Sequence, residues 1–381
     1  MKRIFAAFFA LLLLCAAVPA AAAAPAAAVA ISASAAVLME KETGQVLFEQ
    51  DAYTQYEPAS VTKVMTLLLT MEAIAGGTLG WDDMVTASTH AVSMGGSQIW
   101  LKENEQLSVR DMVKAVAVVS ANDCAVALAE HVAGSEEAFV ARMNQRAAEL
   151  GMEDTSFLNC TGLPAAGHLT CAYDIALMSR ELILNHPEIR EFTTIWMDTL
   201  RDGQFQLSNT NKLIRFYDGA TGLKTGFTSS ALYCLSATAE RDGMELIAAV
   251  MHAPTSNERF DSAKALLSYG FANYALLPVY PSEAIPPIPV LLGREDTVQP
   301  VTARECVILV KKSEAGSVTT QMTLCGSVEA PVEPGQKLGE LQVFVDGQLR
   351  DTIDLTAARP VERLSLGGIF RDLLGKLFMA G

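Results

Sequence analysis

Basic residues and histidine are both scarce in this chain. Its 381 residues include 28 Lys and Arg against 43 Asp and Glu, which gives a formal net charge of −15. Nucleic-acid-binding surfaces are basic, so this balance argues against a nucleic-acid partner. The five histidines are scattered, and neither Cys-x-x-Cys nor His-Glu-x-x-His occurs, so we expect no metal site and no cofactor.

Charged residues are also few, at 19% of the chain, whereas hydrophobic residues make up 50%. This composition supports sizeable cores and excludes global disorder, and the length is enough for two domains. A nearly pure apolar run, 4–18, follows Lys2 and Arg3, and small residues come next. Because the run is short for a membrane span and has no stop-transfer flank, we predict a signal peptide over residues 1–24 and an exported protein.

Cysteine is sparse, and one of the seven, Cys15, lies in the predicted signal peptide. An even number remains, which permits disulfides in an exported chain without requiring them. Short separation in sequence favours Cys160 with Cys171 and Cys306 with Cys325. Six buried thiols are the alternative. The six residues are Cys124, Cys160, Cys171, Cys234, Cys306 and Cys325.

One stretch places a serine and a lysine three residues apart, Ser60 and Lys63, just after Pro58. The apolar run 64–71 follows; as a helix it would be apolar on all sides and would belong in the middle of a domain. Residues i and i+3 share a helix face, so the hydroxyl and the amine would point into the same space, as in an activated nucleophile. The alternative is an N-cap serine with a lysine one turn later.

A second polar group interrupts the apolar helical segment 111–132 at Ser120 and Asn122. Polar residues between two buried helices must find partners or face a cavity. The alternative is a helix cap formed by Asn122 or Asp123.

A third group, Lys224-Thr225-Gly226, lies at the start of the predicted strand 223–239. With a second strand, 245–252, it predicts an antiparallel hairpin. A helix over 256–274 is expected to close this part of the chain, and it carries Arg259 near its start.

Five prolines between residues 277 and 289 indicate a linker, and short β-rich runs follow it with a hairpin turn signal at Asp346-Gly347. The tail, 361–379, places its apolar residues on one helical face. Four basic and two acidic residues lie between positions 359 and 381. The tail is too short and too charged to span a bilayer, which predicts an amphipathic helix in the membrane interface. A helix packed on the protein itself is the alternative.

Ser60-x-x-Lys63, Ser120-x-Asn122 and Lys224-Thr225-Gly226 together form the ordered trio of class A β-lactamases and penicillin-binding proteins. The chain resembles more specifically the serine D-alanyl-D-alanine carboxypeptidases, low-molecular-mass penicillin-binding proteins of the S11 peptidase type. The resemblance covers roughly residues 35–274 and depends on the trio with its flanks and on two loops, 157–163 and 209–212. Val61 replaces the more usual methionine or leucine, and Ala121 replaces the more usual glycine; both affect fine geometry only.

This resemblance implies an α+β fold with an antiparallel sheet flanked by helices, β-lactamase/transpeptidase-like, with an inserted helical subdomain. It also implies a small C-terminal all-β domain and a terminal amphipathic helix. We therefore expect a catalytic domain over 25–278, a small β-rich domain over 279–357 and a membrane-associating helix over 358–381.

The residue types suggest roles within this resemblance. Ser60 would attack the carbonyl between two terminal D-alanines. Lys63 would be the base, neutral because of burial and of a second cation, Lys224. Ser120 would relay a proton, since a hydroxyl both donates and accepts. Asn122 would hold the substrate backbone and orient Lys63.

The strand residues would bind the other end of the substrate. Lys224 and Thr225 suit its terminal carboxylate, and Gly226 leaves room beside the strand. The resemblance implies an oxyanion hole made by the backbone N–H groups of the nucleophile and of Phe227. Arg259 is a weaker candidate for the carboxylate, with a surface salt bridge as the alternative.

The implied function is an exported, serine-type carboxypeptidase that removes the terminal D-alanine from peptidoglycan stem pentapeptides. Its partners would be a stem peptide ending in D-Ala-D-Ala, β-lactam antibiotics and the membrane surface. Its location would be peripheral, on the outer face of the cytoplasmic membrane. A β-lactamase is one alternative, but the loop 157–163 lacks the glutamate of class A enzymes. A non-catalytic wall-binding protein is another.

Overall fold

The computed structural model describes residues 29–365, 367 and 368. The predicted signal peptide and most of the predicted terminal helix lie outside these residues. The described α-helices are α1 (Lys63–Ala75), α2 (Thr89–Val92), α3 (Val109–Val119), α4 (Asn122–Ala133), α5 (Glu136–Glu149), α6 (Ala172–Asn185), α7 (Arg190–Thr193), α8 (Leu213–Phe216) and α9 (Ser256–Asn273), with short 3₁₀ turns at Ala59–Thr62, Pro187–Ile189 and Ala315–Ser317.

The first nine described strands are β1 (Ala35–Glu40), β2 (Val46–Gln50), β3 (Met84–Thr86), β4 (Gln106–Ser108), β5 (Met197–Leu200), β6 (Phe205–Ser208), β7 (Ala220–Thr228), β8 (Leu232–Arg241) and β9 (Met244–Ala253). Five of them form an antiparallel sheet in the order β2-β1-β9-β8-β7. Strands β3 and β4, and likewise β5 and β6, form separate antiparallel pairs.

Helices cover both faces of the five-stranded sheet. Val37 and Met39 of β1 belong to the large core that includes α6, whereas Leu38 lies beside Gly270 of α9. Since successive side chains of a strand point to opposite faces, every residue of β1 is buried. Two-sided burial explains why this strand is a continuous apolar run rather than an alternating one.

The predicted strand 223–239 is wrong in one respect, because it is two strands. β7 ends at Thr228 and β8 begins at Leu232, so the predicted hairpin is the β8–β9 pair and β7 is a third, edge strand. The intervening residues 229–231 contain no glycine, proline or asparagine. Leu232 instead takes the left-handed backbone (φ 54°) that usually signals a turn through glycine.

The helical core confirms the prediction of an all-round apolar helix. The first nine residues of α1, from Lys63 to Met71, are all buried. The predicted break in the next helical segment is also observed, because α3 ends at Val119 and α4 begins at Asn122.

The remaining described strands form small sheets that contain none of the predicted site residues. They are β10 (Tyr274–Pro278), β11 (Ile288–Leu291), β12 (Thr297–Val298), β13 (Pro300–Thr302), β14 (Val307–Lys311), β15 (Val318–Leu324), β16 (Val328–Glu329), β17 (Lys337–Val345) and β18 (Gln348–Ala357). The strand orders in the three sheets are β10-β14, β12-β11-β16 and β13-β18-β17-β15, and the predicted Asp346-Gly347 turn joins β17 to β18.

The proline-rich segment and the tail both contain extended structure where none was expected. Strand β10, before the predicted domain boundary, pairs with β14 beyond it. Val361 bridges Val332 and Arg363 bridges Gly293, so the predicted helix does not begin at residue 358. Among residues 29–365, 367 and 368, no helix has both the length and the apolar character needed to cross a bilayer.

The two disulfides considered from the sequence are not formed. Cys124, Cys160, Cys171 and Cys234 are buried free thiols. Cys306 is half-buried and Cys325 is exposed, so the alternative of six buried thiols is correct for four of them only.

Candidate active site

The nucleophile candidate lies on a tight, strained turn. Ser60 is in the 3₁₀ turn Ala59–Thr62, which leads directly into α1. Ala59 takes a left-handed backbone (φ 47°), which is unfavourable for a residue with a side chain. The side-chain nitrogen of Lys63 lies 3.0 Å from Ser60 Oγ, as the three-residue spacing predicts.

Lys63 is completely buried, and burial lowers the pKa of its amine to about 7. Its Nζ donates a hydrogen bond to the carbonyl oxygen of Thr161 at 2.7 Å. A neutral amine has two N–H groups and one lone pair; the carbonyl takes one N–H, so the lone pair remains for the Ser60 hydroxyl proton. In its neutral form Lys63 can therefore accept the Ser60 proton. The predicted orientation of Lys63 by Asn122 is not observed, because its side-chain bonds go to Ser60 and Thr161.

Asn159 organises the loop that supplies the Thr161 carbonyl. Its Oδ1 accepts hydrogen bonds from the N–H and hydroxyl of Thr161 and from the N–H of Gly162. A Cβ on Gly162 would lie 1.8 Å from the carbonyl oxygen of Ala59. Glycine is therefore required where the loop packs on the nucleophile turn.

The break between α3 and α4 leaves two buried acceptors free. Ser120 follows α3 as its C-cap residue in a left-handed conformation (φ 64°), and its Oγ has no partner. Asn122 donates through Nδ2 to the carbonyl of Gly95 at 2.6 Å, while its Oδ1 has no partner. Only four buried side-chain polar atoms in the described part of the chain lack a partner, and two of them are these. A bound substrate would explain both.

A helix cap by Asn122, the alternative from the sequence, is not formed, because the cap position of α4 is Ala121 and carries no side-chain bond. Asp123 instead makes a tertiary contact. Its carboxylate accepts hydrogen bonds from the N–H groups of Ile99, Leu101 and Cys124. Asp123 thereby fixes the loop whose Gly95 carbonyl holds Asn122.

The edge strand β7 carries the third group of predicted site residues, after the Ser60 turn and the break between α3 and α4. Lys224 is buried and donates to the carbonyl of Thr225 at 2.9 Å. Burial, and then the charges of Lys63 and Arg259, hold the pKa of the Lys224 amine well below its usual value. Thr225 Oγ1 donates to Thr210 Oγ1 at 2.7 Å.

Gly226 allows strand β7 to pack closely against the turn that carries Ser60. A Cβ on Gly226 would lie 2.8 Å from the carbonyl oxygen of Pro58 and 3.1 Å from the Ser60 nitrogen. The next side chain, Phe227, is 53% exposed and stacks on Tyr233.

Arg259 lies under this strand and is not on the surface. It is buried, and its Nη1 donates to the carbonyls of Gly226 and Cys234 at 3.0 and 3.3 Å. The surface salt bridge considered as an alternative is therefore wrong. Arg259 supports β7 and β8, and burial lowers the pKa of its guanidinium to about 10.

Sequence reasoning missed three contributors to this cleft, namely Thr161, Thr210 and Asp123. Thr161 and Thr210 lie in the loops 157–163 and 209–212, which contributed to the family resemblance but were given no role. The signal that could have found Thr161 is the motif Asn-x-Thr-Gly over 159–162, because asparagine side chains often bond the backbone of a turn. Among the described residues, no group of three His, Cys, Asp or Glu is placed to hold a metal ion.

Comparison with known proteins shows which family this chain is similar to. Residues 20–255 match the family model described as D-alanyl-D-alanine carboxypeptidase, and residues 279–363 match the one described as penicillin-binding protein 5, C-terminal domain. The chain is 42% identical over 320 residues to D-alanyl-D-alanine carboxypeptidase DacF of Bacillus subtilis, covering 83% of this chain and 82% of the relative. It is 33% identical to DacD of Salmonella typhimurium, with 89% and 88% covered.

Solved structures agree in fold. Penicillin-binding protein 5 from Haemophilus influenzae superposes with a TM-score of 0.77 at 30% identity, covering 88% of this chain and 98% of that one. Penicillin-binding protein D2 from Listeria monocytogenes in its ampicillin-bound form has a TM-score of 0.58 at 35% identity, covering 63% and 98%.

Proposed function

The chain belongs to the D-alanyl-D-alanine carboxypeptidase family, peptidase S11, and we propose that Ser60 is its nucleophile. It is a serine-type carboxypeptidase of peptidoglycan metabolism, and its fold is that of the penicillin-binding proteins. The observation that carries the assignment of the nucleophile is the Ser60–Lys63 pair, with the amine 3.0 Å from the hydroxyl and completely buried. A lysine in water would be protonated at neutral pH and could accept no proton.

This geometry supports a mechanism for acylation. Lys63 takes the hydroxyl proton of Ser60, and Oγ bonds to the carbonyl carbon between the two terminal D-alanines. The resulting oxyanion is held by the backbone N–H groups of Ser60 and Phe227, each worth about 3 kcal/mol. Ser120 passes the proton from Lys63 to the leaving nitrogen as the C–N bond breaks, and D-alanine departs. Water then attacks the acyl ester, with Lys63 again as the base.

The free acceptors and the edge strand bind the substrate. Asn122 Oδ1, buried and without a partner, accepts a backbone N–H of the stem peptide. The terminal carboxylate lies near Lys224 and the Thr225 hydroxyl. A carboxylate next to Lys224 favours its ammonium form, so substrate binding raises a pKa that burial lowers in the free protein. Arg259 acts through the strand by holding the Gly226 carbonyl.

A β-lactamase is disfavoured by the surroundings of the loop 157–163. The carboxylate that touches this loop belongs to Glu136, and both its oxygens are engaged. Oε1 accepts from the N–H of Cys160 at 3.0 Å, and Oε2 pairs with His90 at 2.7 Å. Glu136 thus holds this loop through the N–H of Cys160, and the loop itself contains no carboxylate of the kind that class A enzymes use for rapid deacylation.

Two assays test the function. We expect the protein to release D-alanine from a pentapeptide ending in D-Ala-D-Ala and to form a stable adduct with labelled penicillin. Both activities should vanish in Ser60→Ala and persist in Ser268→Ala, which removes an exposed serine hydroxyl. Rapid turnover of penicillin would identify a β-lactamase, and the absence of both activities would indicate a wall-binding protein.

The finer location is also a proposal. Family members are cell-wall enzymes that work outside the cytoplasm or at its membrane. The apolar N-terminal run supports export through a signal peptide over 1–24, followed by a catalytic domain over 25–278 and a small β-rich domain over 279–357. The apolar stripe of residues 366–378 and the excess of basic residues between positions 359 and 381 support an amphipathic helix on the outer face of the cytoplasmic membrane.

Sedimentation with anionic lipid vesicles tests this anchor. The chain without its signal peptide should bind vesicles, and a chain ending at residue 364 should not. Equal sedimentation of the two proteins would exclude the tail as the anchor. Penicillin labelling should be the same in both, because the cleft lies elsewhere in the chain.

A further inference from the structure

A buried histidine behind the nucleophile is held in one tautomer. The Nδ1 of His168 accepts a hydrogen bond from the N–H of Leu158 at 3.0 Å, so the ring proton is on Nε2. Nε2 lies 2.8 Å from the hydroxyl oxygen of Thr62 and donates to it. The ring is 2% exposed, and Phe157 packs against it edge-on. His168 is therefore a neutral, fully bonded side chain.

The two partners of His168 belong to different segments. Thr62 is in the turn that carries Ser60, and Leu158 is in the loop that carries Thr161. These are the same two segments that hold Lys63, whose amine is bonded to Ser60 on one and to Thr161 on the other. The positions of both partners of Lys63 therefore depend on how the turn and the loop are joined.

One other side-chain hydrogen bond reaches this loop from α1, which continues the turn, since Thr66 Oγ1 donates to the carbonyl of Cys160 at 2.7 Å. Gly162 of the loop packs on the carbonyl of Ala59, a contact that keeps the segments close but includes no side chain of the glycine. Thr62 forms no helix-capping bond of its own, so its hydroxyl serves the contact with His168.

We propose that His168 is a positioning residue that fixes Lys63 Nζ between Ser60 Oγ and the Thr161 carbonyl by tying the nucleophile turn to the loop. It does not contact the reacting atoms and acts through Thr62 and Leu158. The inference rests on the proposed function, since it concerns the base that activates Ser60. A histidine that only fills space would lower stability without a specific effect on acylation.

Two substitutions remove the tie from opposite sides. Thr62→Val keeps the shape but removes the acceptor, and His168→Asn is too short to reach Thr62. We expect the acylation rate constant with saturating labelled penicillin to fall about 10- to 100-fold in each, as for small misplacements of a reacting group. The dissociation constant before acylation should stay within about twofold, because the substrate-binding walls are untouched. His168→Gln, which retains an N–H near Nε2, should recover most of the rate.

Thr70→Val is the matched control. Thr70 is a buried threonine of the same helix, and its hydroxyl donates to the carbonyl of Thr66. This substitution should leave the acylation rate within about twofold even if the unfolding temperature falls. The double variant Thr62→Val/His168→Asn should be no slower than the slower single variant, because both remove one interaction.

Three results would overturn the inference: unchanged acylation in both single variants, multiplicative losses in the double variant, or an equal loss in Thr70→Val. If His168→Asn does not fold, the rate measured for Thr62→Val decides alone. If labelled penicillin does not modify the wild-type protein, the proposed function itself is contradicted. This result differs from each of the three above, so failure of the function and failure of the inference are distinguishable.

Discussion

The amine of Lys63 and the backbone carbonyl of Thr161 lie 2.7 Å apart, although 98 residues separate them in the chain. The carbonyl accepts a hydrogen bond from either form of the amine, so it orients the amine in both protonation states. Burial lowers the pKa of Lys63 to about 7 and so favours the neutral form. The carbonyl and the burial thus set the position and the pKa of this amine separately.

The first prediction concerns the pH dependence of acylation. Since only the neutral amine accepts the Ser60 proton, the rate of penicillin acylation should rise through about pH 7 and then level off. Lys63→Arg should abolish acylation, because a guanidinium stays protonated. Stopped-flow or quenched labelling between about pH 5.5 and about pH 9 measures the profile. A flat profile over this range would contradict the role of Lys63.

The second prediction concerns the contact between β7 and the nucleophile turn. In Gly226→Ala, the new Cβ would lie 2.8 Å from the Pro58 carbonyl oxygen and 3.1 Å from the Ser60 nitrogen, so the strand or the turn must move. We expect acylation to fall by about 100-fold. Gly316→Ala, where a Cβ meets nothing within 4 Å, should be unaffected. Equal acylation rates in the two variants would show that the close approach is unimportant.

The third prediction concerns acid stability. Burial lowers the pKa of His168 to about 4, whereas the unfolded side chain titrates near 6.5. Between pH 6.5 and about pH 4 the His168 side chain binds a proton in the unfolded chain but not in the folded chain. The contribution of neutral His168 to the free energy of unfolding is therefore complete above pH 6.5 and is lost as the pH falls towards 4. The loss should amount to about 3 kcal/mol. Urea unfolding at several pH values should show a smaller acid loss in His168→Asn. The same loss in both proteins would assign it to other groups.

The fourth prediction concerns the buried carboxylate of Asp123, which holds the loop that follows Gly95. Asp123→Asn replaces one accepting oxygen by an NH₂ group facing the N–H groups of Ile99 and Leu101, which should destabilise the protein by about 2–4 kcal/mol. Asp111→Asn, which weakens a partly exposed ion pair with Lys114, should cost less than about 1 kcal/mol. Chemical denaturation measures both. Similar losses would mean that the buried carboxylate contributes little.

The fifth prediction concerns the thiols. In the folded protein without residues 1–24, an aromatic disulfide reagent should modify Cys325 rapidly and Cys306 more slowly, since of the six remaining cysteines only these are accessible. The other four should react after unfolding, because they are buried and burial raises the pKa of each, to about 12 for Cys171 and about 11 for Cys234. Reducing agent should leave the unfolding temperature unchanged. A reductant-sensitive unfolding temperature would indicate a disulfide.

Local patterns were sufficient for much of the fold. The all-apolar run after Lys63 predicted a central buried helix, and the polar interruption at Ser120 predicted the break between two helices. Both follow from side-chain periodicity, which depends on near neighbours in the chain. The strand 223–239 was predicted as one piece because its turn lacks glycine and proline, so no local signal marked it.

The sequence by itself determined the residue types of the site, their order and the family, because each motif is a short run of the chain. Only the tertiary structure decided how these residues act. Thr161 orients Lys63, His168 meets Thr62, and Thr210 meets Thr225 across separations of 98, 106 and 15 residues. The pKa of Lys63 is lowered because residues distant in the chain pack around its amine and exclude water. No short stretch of the sequence determines that burial. The serine–lysine spacing brings two groups together, and the fold lowers the pKa of one of them by burying it.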